Sequence, residues 1–262
     1  MSADPISQDL KTVFRRLKLS RILDTVPERL ALARQQKMPH QDFLLLVLQD
    51  EVSRRDSLAV GLRAQKGHLD PQAQLDNWDE TAKVSFDHAL LGELATLRFL
   101  DSHHHVLIVG PVGVGKTFLA HALGHIACRR GYSVLALPVD KVLKALRHAR
   151  LTNSFETELR KLLAVDLLIL DDFCLDAMDP QESRDAYEIF TERHRSGSVV
   201  VTSNRGPDEW LSAFADPLRA ESAIDRFANN AYDLVIEGES YRSRLKPTLA
   251  AAGSQLTSSV TV

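Results

Sequence analysis

The chain reads as an α/β protein: a parallel sheet sandwiched by helices and built around a phosphate-binding loop, preceded by a small all-helical domain. Three observations predict this. Short apolar runs of strand length at 106–109, 134–137, 165–170 and 198–201 alternate with helical stretches. The first run opens directly into Gly110-Pro-Val-Gly-Val-Gly115-Lys116-Thr117. Residues before about 70 carry helical rather than strand periodicity. An apolar fraction of 44% beside 26% charged residues, in 262 residues, excludes wholesale disorder and leaves room for one α/β core with a small accessory domain.

The front third comes first. Leu10, Val13, Phe14 and Leu17 recur at helical spacing and predict an apolar stripe. A second helix is expected over 27–37, with Pro27 early, where its missing N–H does no harm. A long third helix is expected over 41–63, after Pro39. Residues 1–66 hold twelve basic and eight acidic side chains, although the whole chain is at −3. Lys11, Arg15, Arg16, Lys18 and Arg21 sit mostly off the apolar stripe. They form either a solvated face or a row of phosphate contacts for DNA. The expected division is a helical domain at 1–70, a linker at 71–80, an ATPase domain at 81–246 and a loose tail at 247–262. Trp78 in the linker is expected to pack against a domain surface.

A helix over 86–100 precedes the first strand. The loop after that strand fills the pattern G-x-x-x-x-G-K-[ST] between a strand and a helix, the context it requires. Glycines let successive N–H groups curl towards phosphates, and the new helix adds its positive end. Gly110, Pro111, Gly113, Val114, Gly115, Lys116, Thr117 and Phe118 are therefore candidate ATP contacts. Lys116 reaches the β and γ phosphates, and the Thr117 hydroxyl ligates Mg²⁺. The run at 165–170 ends in Asp171 and Asp172, as a buried parallel strand does where its carboxyl end opens into a site. Asp171 is the candidate Mg²⁺ holder and Asp172 the group that polarises water. Asn204, just past the strand at 198–201, is placed to sense the γ-phosphate. A helix over 217–228 and a strand over 232–236 follow. Spacing does not choose among Arg219, Arg226, Arg242 and Arg244 for the transition-state charge.

Two cysteines without a CxxC spacing fit a reducing cytosol, and the first residues carry no apolar signal segment. His103, His104 and His105 are expected in a solvated loop, with no metal site. No run is long enough to span a membrane.

The ordered series of the phosphate loop, ILDD at 169–172, TSN at 202–204, EW at 209–210, AIDRF at 223–227 and GESYRSRLKP at 238–247 resembles the IstB-like family of insertion-sequence helper ATPases. LKLSRILDTVPERLALARQQ and FLLLVLQDEVSRRD resemble that family's helical, DNA-associated front. The resemblance implies an AAA+ fold related to DnaA and DnaC, and ATP with Mg²⁺ as cofactors. It implies a homo-oligomer with ATP at subunit interfaces on double-stranded DNA, in the bacterial cytoplasm, and a DDE-type transposase as partner. It makes Arg226 the arginine offered to a neighbour's nucleotide and Arg242 a second phosphate sensor. The chain departs from the pattern at Asp172, where glutamate is common; the shorter acid is expected to hold water less well and slow turnover. It departs also at Cys174, where glycine is frequent, and at Asn229 and Asn230, which replace histidines. No separate C-terminal lid is expected. The competing readings are a DnaC-like helicase loader and an architectural DNA-binding protein that uses ATP only to control assembly.

Overall fold

The computed structural model describes residues 6–242. The expected tail at 247–262, with Arg244, lies outside them. Two compact units divide between Leu62 and Arg63, eight residues ahead of the expected domain end.

The first unit holds α1 (Gln8–Arg16), α2 (Val26–Gln36) and most of α3 (His40–Lys66). Ile6, Ile22, Val26 and Val47 form its small core, with Phe14, Leu30 and Phe43 packed against them. Arg29 donates to both oxygens of Asp50, at 2.7 and 3.0 Å, and ties α2 to α3. Glu51 is buried; hydrogen bonds from Arg54, and then from Arg55, hold its carboxyl down at about 2 against the cost of burial. The predicted stripe on α1 is mostly not a core face. Phe14 packs inward, but Leu10, Val13 and Leu17 are 40%, 49% and 60% exposed. About two and a half turns of helix over so small a core reach it with a single large side chain.

The second unit runs through β1 (Val84–Ser85), α4 (His88–Ala95), α5 (Arg98–Asp101), β2 (His105–Val109), α6 (Lys116–Arg129), β3 (Val134–Pro138), α7 (Val139–Leu151) and α8 (Phe155–Leu163). It continues through β4 (Leu167–Asp171), α9 (Pro180–Arg193), β5 (Ser198–Ser203), α10 (Pro207–Trp210), α11 (Pro217–Ala228), β6 (Ala231–Val235) and β7 (Glu237–Gly238). Five parallel strands pair in the order β3-β4-β5-β2-β6, and β1 pairs antiparallel with β7. β4 and β5 are buried along nearly their whole length, so both faces of the sheet are covered, as continuous apolar strands require. On one face Phe173, Phe190, Trp210 and Phe227 interlock, with Phe173 and Trp210 edge to face at 4.7 Å. This is the parallel core sheet flanked by helices of the AAA+ phosphate-loop fold. After α11 the described residues hold only two short strands.

Several local expectations change. The helix expected over 86–100 breaks at Leu97, which takes a left-handed φ of 66° and so buries Leu94, Leu97, Phe99 and Leu100 together. His105 is not in a solvated loop: it belongs to β2, is 1% exposed, and stacks on Phe227 at 5.3 Å. Burial pushes its imidazole down to about 3, so Nδ1 is free to accept from the Val199 N–H at 3.2 Å. The segment expected as a linker is part of the second unit. Ala136 N–H donates to the Gly67 carbonyl at 2.8 Å on the edge of β3. Asp70 is gripped by two histidines one turn apart on α6: its N–H donates to His121 Nδ1 at 2.9 Å, and its carbonyl lies 2.8 Å from His125 Nε2. Gly124 lies between them, and a Cβ there would meet Leu69 at 2.7 Å.

Candidate functional site

The C-terminal ends of β2, β4 and β5, neighbours in the sheet, converge on one cavity of about 500 Å³. β2 ends at Val109 and the chain curls through 110–115 into α6. Gly113 and Gly115 have φ of 85° and 100°, where a side chain is strained. A Cβ would also collide with Ser240 at the first and, at 2.8 Å, with the Trp78 ring at the second. Tyr241 N–H donates to the Gly113 carbonyl at 2.9 Å, so residues 240–241 brace the loop from outside.

Lys116 is buried at the first turn of α6. Its ammonium donates to the carbonyls of Gly110 and Pro111 at 2.8 and 2.7 Å and to Asn204 Oδ1 at 2.5 Å. Burial lowers its pKa, while the charges of Asp172 and Asp171 pull the other way. The Thr117 hydroxyl donates to Asp171 at 2.9 Å, and the Thr202 hydroxyl donates to the same carboxylate. Asp172 follows in a left-handed conformation, φ 57°, fixed by its N–H donating to Thr202 Oγ1 at 3.0 Å. Burial first, and then Asp171, raise its carboxyl pKa. Cys174 is left-handed too, with φ 55°, a backbone state that glycine adopts without strain; burial pushes its thiol up to about 12.

Of the predicted site residues, Gly113, Val114, Gly115, Lys116, Thr117, Phe118, Asp172, Asn204 and Arg242 line the cavity. Gly110, Pro111 and Asp171 adjoin it through the bonds just given. Arg226 does not join them. It lies on α11, donates to the Ser222 carbonyl at 2.8 Å, and sits 5.8 Å from the centre of the Tyr187 ring. Lys11, Arg15, Arg16, Lys18 and Arg21 belong to the first unit; the last four are exposed, and Arg21 pairs with Asp24 at 3.8 Å.

Sequence reasoning missed one wall. Asn77, Trp78, Asp79 and Ala82 line the cavity, as do Leu175 and Tyr241. Trp78 stands edge-on to Phe86 and Phe118, at 5.6 and 5.4 Å. The available signal was a tryptophan within a polar, turn-rich run, which needs an apolar surface to lie on.

The carboxylate and hydroxyl oxygens of Asp171 and Thr117 are hard donors of the kind Mg²⁺ takes beside phosphate oxygens. The glycine cradle that a Cβ would fill, at the head of α6, suits a polyphosphate. Among the described residues no cluster of three or more His, Cys, Asp or Glu is arranged to hold a metal. None of their helices is long and apolar enough to cross a membrane.

The profile of the family described as IstB-like ATP binding protein matches residues 12–248. The chain belongs to this family. An insertion-sequence ATP-binding protein of Mycobacterium tuberculosis is 37% identical over 91% of this chain and 95% of its own. The IS21 ATP-binding protein of Pseudomonas aeruginosa is 32% identical over 91% and 90%. Among solved structures, the DnaC helicase loader superposes with a TM-score of 0.55 at 19% identity, covering 63% of this chain and 97% of its own. AMPPCP-bound DnaA from Aquifex aeolicus gives 0.53 at 25% identity, covering 68% and 54%. This IstB-like chain thus shares the AAA+ fold of the DnaA and DnaC proteins.

Proposed function

We propose that this IstB-like protein is an ATP-dependent, DNA-binding transposition helper that oligomerises on DNA, remodels the target and directs a partner DDE-type transposase. One observation carries the reading: Lys116, Thr117 with Asp171, Asp172 and Asn204, drawn from three neighbouring strand ends, meet around one glycine-cradled cavity.

Bound Mg–ATP supplies the γ-phosphoryl group and a divalent charge that draws off its developing negative charge. The protein's part is positioning. Backbone N–H groups of 112–115 and the head of α6 hold the phosphates. Lys116 turns from the loop carbonyls to the phosphate oxygens, while Thr117 and Asp171 hold the metal. Asp172, opposite Lys116, orients water, and Asn204 reports on the γ-phosphate from the end of β5. Arg242 lines the same cavity and adds positive charge. Arg226, remote from its own chain's cavity, is assigned to a neighbour's. The basic row from Lys11 to Arg21 is assigned to DNA phosphates.

The test is Mg–ATP hydrolysis with and without double-stranded DNA, in wild type and in mixtures of two inactive chains. Lys116→Ala and Arg226→Ala should each lower turnover by at least about tenfold, since each removes charge from the transition state. Mixing them should restore part of the rate, because a mixed interface pairs an intact cavity with an intact arginine. No recovery on mixing, with both chains folded and co-assembled, removes Arg226 from its role in trans. Hydrolysis and assembly that both ignore DNA overturn the transposition reading; assembly on DNA with negligible hydrolysis selects the architectural one.

A further inference from the structure

Three polar residues in a row, Thr202, Ser203 and Asn204, stand at the end of β5, and each holds a different part of the site. Asn204 meets Lys116, and the Ser203 hydroxyl donates to the Phe173 carbonyl at 2.8 Å. Thr202, 0% exposed, lies between the two acids. The ladder of β4 on β5 runs to Leu170 beside Val201, so Thr202 is the next residue on its strand and Asp171 the next on the other. The Thr202 hydroxyl donates to Asp171 Oδ1 at 2.5 Å and accepts the Asp172 N–H at 3.0 Å. Its carbonyl accepts the Phe173 N–H at 2.9 Å. One side chain thus gives its single donor to the first acid and an acceptor site to the second.

The two bonds fix different things. As a donor, the hydroxyl sets the rotation of the Asp171 carboxylate. As an acceptor, it holds Asp172 at φ 57°, a left-handed state that costs free energy for a residue with a Cβ. From there the Asp172 side chain lines the cavity. β-Branching leaves a threonine few rotamers, so strand and packing decide where this oxygen sits. Thr117 also donates to Asp171, at 2.9 Å, but is assigned to the metal; the buried Thr202 is the donor that stays with the carboxylate when the cavity fills. On the Mg–ATP reading of the cavity, on which this rests, we infer that Thr202 is a positioning residue for ATP hydrolysis: its one hydroxyl locks the metal-holding Asp171 and the water-orienting Asp172 into a fixed pair.

Thr202→Val keeps the shape and removes both hydroxyl bonds, whereas Thr202→Ser keeps the hydroxyl. In the full-length chain without nucleotide, amide hydrogen exchange at Asp172, followed by NMR, should speed up at least about tenfold in the valine variant. It should rise there more than at Phe173, whose N–H bonds to the backbone. With saturating Mg–ATP, kcat should fall about 10–100-fold in the valine variant, the effect of misplaced catalytic groups. Affinity for ATP without Mg²⁺ should stay within about twofold, a split that general damage to the fold would not give. The serine variant should recover most of the rate and the slow exchange. If the valine variant does not fold, Thr202→Ala makes the same comparison with serine. A valine variant that exchanges at Asp172 or turns over like wild type overturns the inference. So does a serine variant as slow as the valine one, which would mark lost packing rather than a lost hydroxyl. A wild type that neither binds nor hydrolyses Mg–ATP overturns the reading of the cavity itself, and faster exchange in the valine variant then reports a structural bond only.

Discussion

The buried imidazole of His105 shows how one residue sets a global property. In the fold its pKa sits at about 3, because burial disfavours the charged ring and the nearby Arg193 adds to the penalty. Unfolded, the ring titrates near its ordinary 6.5. Between these values the unfolded chain binds the extra proton, so stability falls as pH drops below about 6.5. Taking the protein from pH 7 to pH 5 should cost about 2 kcal/mol from this group alone. His105→Asn keeps an acceptor for the Val199 N–H and removes the titration. Its unfolding free energy, though lower at neutral pH for lack of stacking, should lose about 2 kcal/mol less than wild type over that range; an equal loss contradicts the assignment. Residues of this kind were not legible in the sequence. Lys116, Thr117 and Asp171 were, since phosphate and metal chemistry fix residue types at set spacings within a strand–loop–helix. His105 and Tyr241 take their roles from partners brought close only by the fold, and nothing local marks them; Trp78 was legible as a ring needing an apolar surface, but not as a wall of the cavity.

At the scale of elements, α9 went unread although its start is spelled out. Asp179 accepts from the N–H groups of Gln181 and Glu182, Glu182 returns a bond to the Asp179 N–H, and Pro180 sits in the first turn. Its mixed interior, with buried Ser183, Asp185 and Arg193, hides the apolar period by which helices are recognised. Arg193 is 1% exposed and donates to the carbonyls of Leu162, Leu163, Val165, Asp166 and Ser198, tying the end of α9 to the turn before β4 and the start of β5. Arg193→Met keeps much of the volume but takes the guanidinium donors from those carbonyls, of which that of Asp166 keeps another, the Ser198 N–H at 3.2 Å. A loss of about 2–5 kcal/mol in urea unfolding is expected, at about 1 kcal/mol for each buried acceptor that finds no other donor. A change below 0.5 kcal/mol, the size of an ordinary surface substitution, would show that the carbonyls find other donors. On α1 the periodicity was correct and the burial was not, because spacing reports which residues share a face and not what that face meets.

For the whole molecule, the position of the site follows from motifs lying at strand ends, while the strand order and the division near residue 62 do not. The polar segment after it looks like a linker, yet Asp70 and Trp78 are held by α6 and its preceding loop. The proposed labour of the two units is separable. Arg15→Ala with Arg16→Ala should weaken DNA binding uniformly across sequences and lower its log–log salt slope by about two, with ATP binding unchanged; an unchanged slope moves the DNA contact elsewhere. The central claim is that the cavity at the ends of β2, β4 and β5 is a Mg–ATP site. Equilibrium titration of ATP tests it most directly, with and without Mg²⁺, on wild type, Lys116→Ala and Thr117→Ala. One ATP per chain is predicted for wild type. Affinity should drop by about 10–100-fold in Lys116→Ala, the worth of a charged hydrogen bond, and Thr117→Ala should lose most of the gain that Mg²⁺ confers. Equal affinity in all three chains would contradict the account.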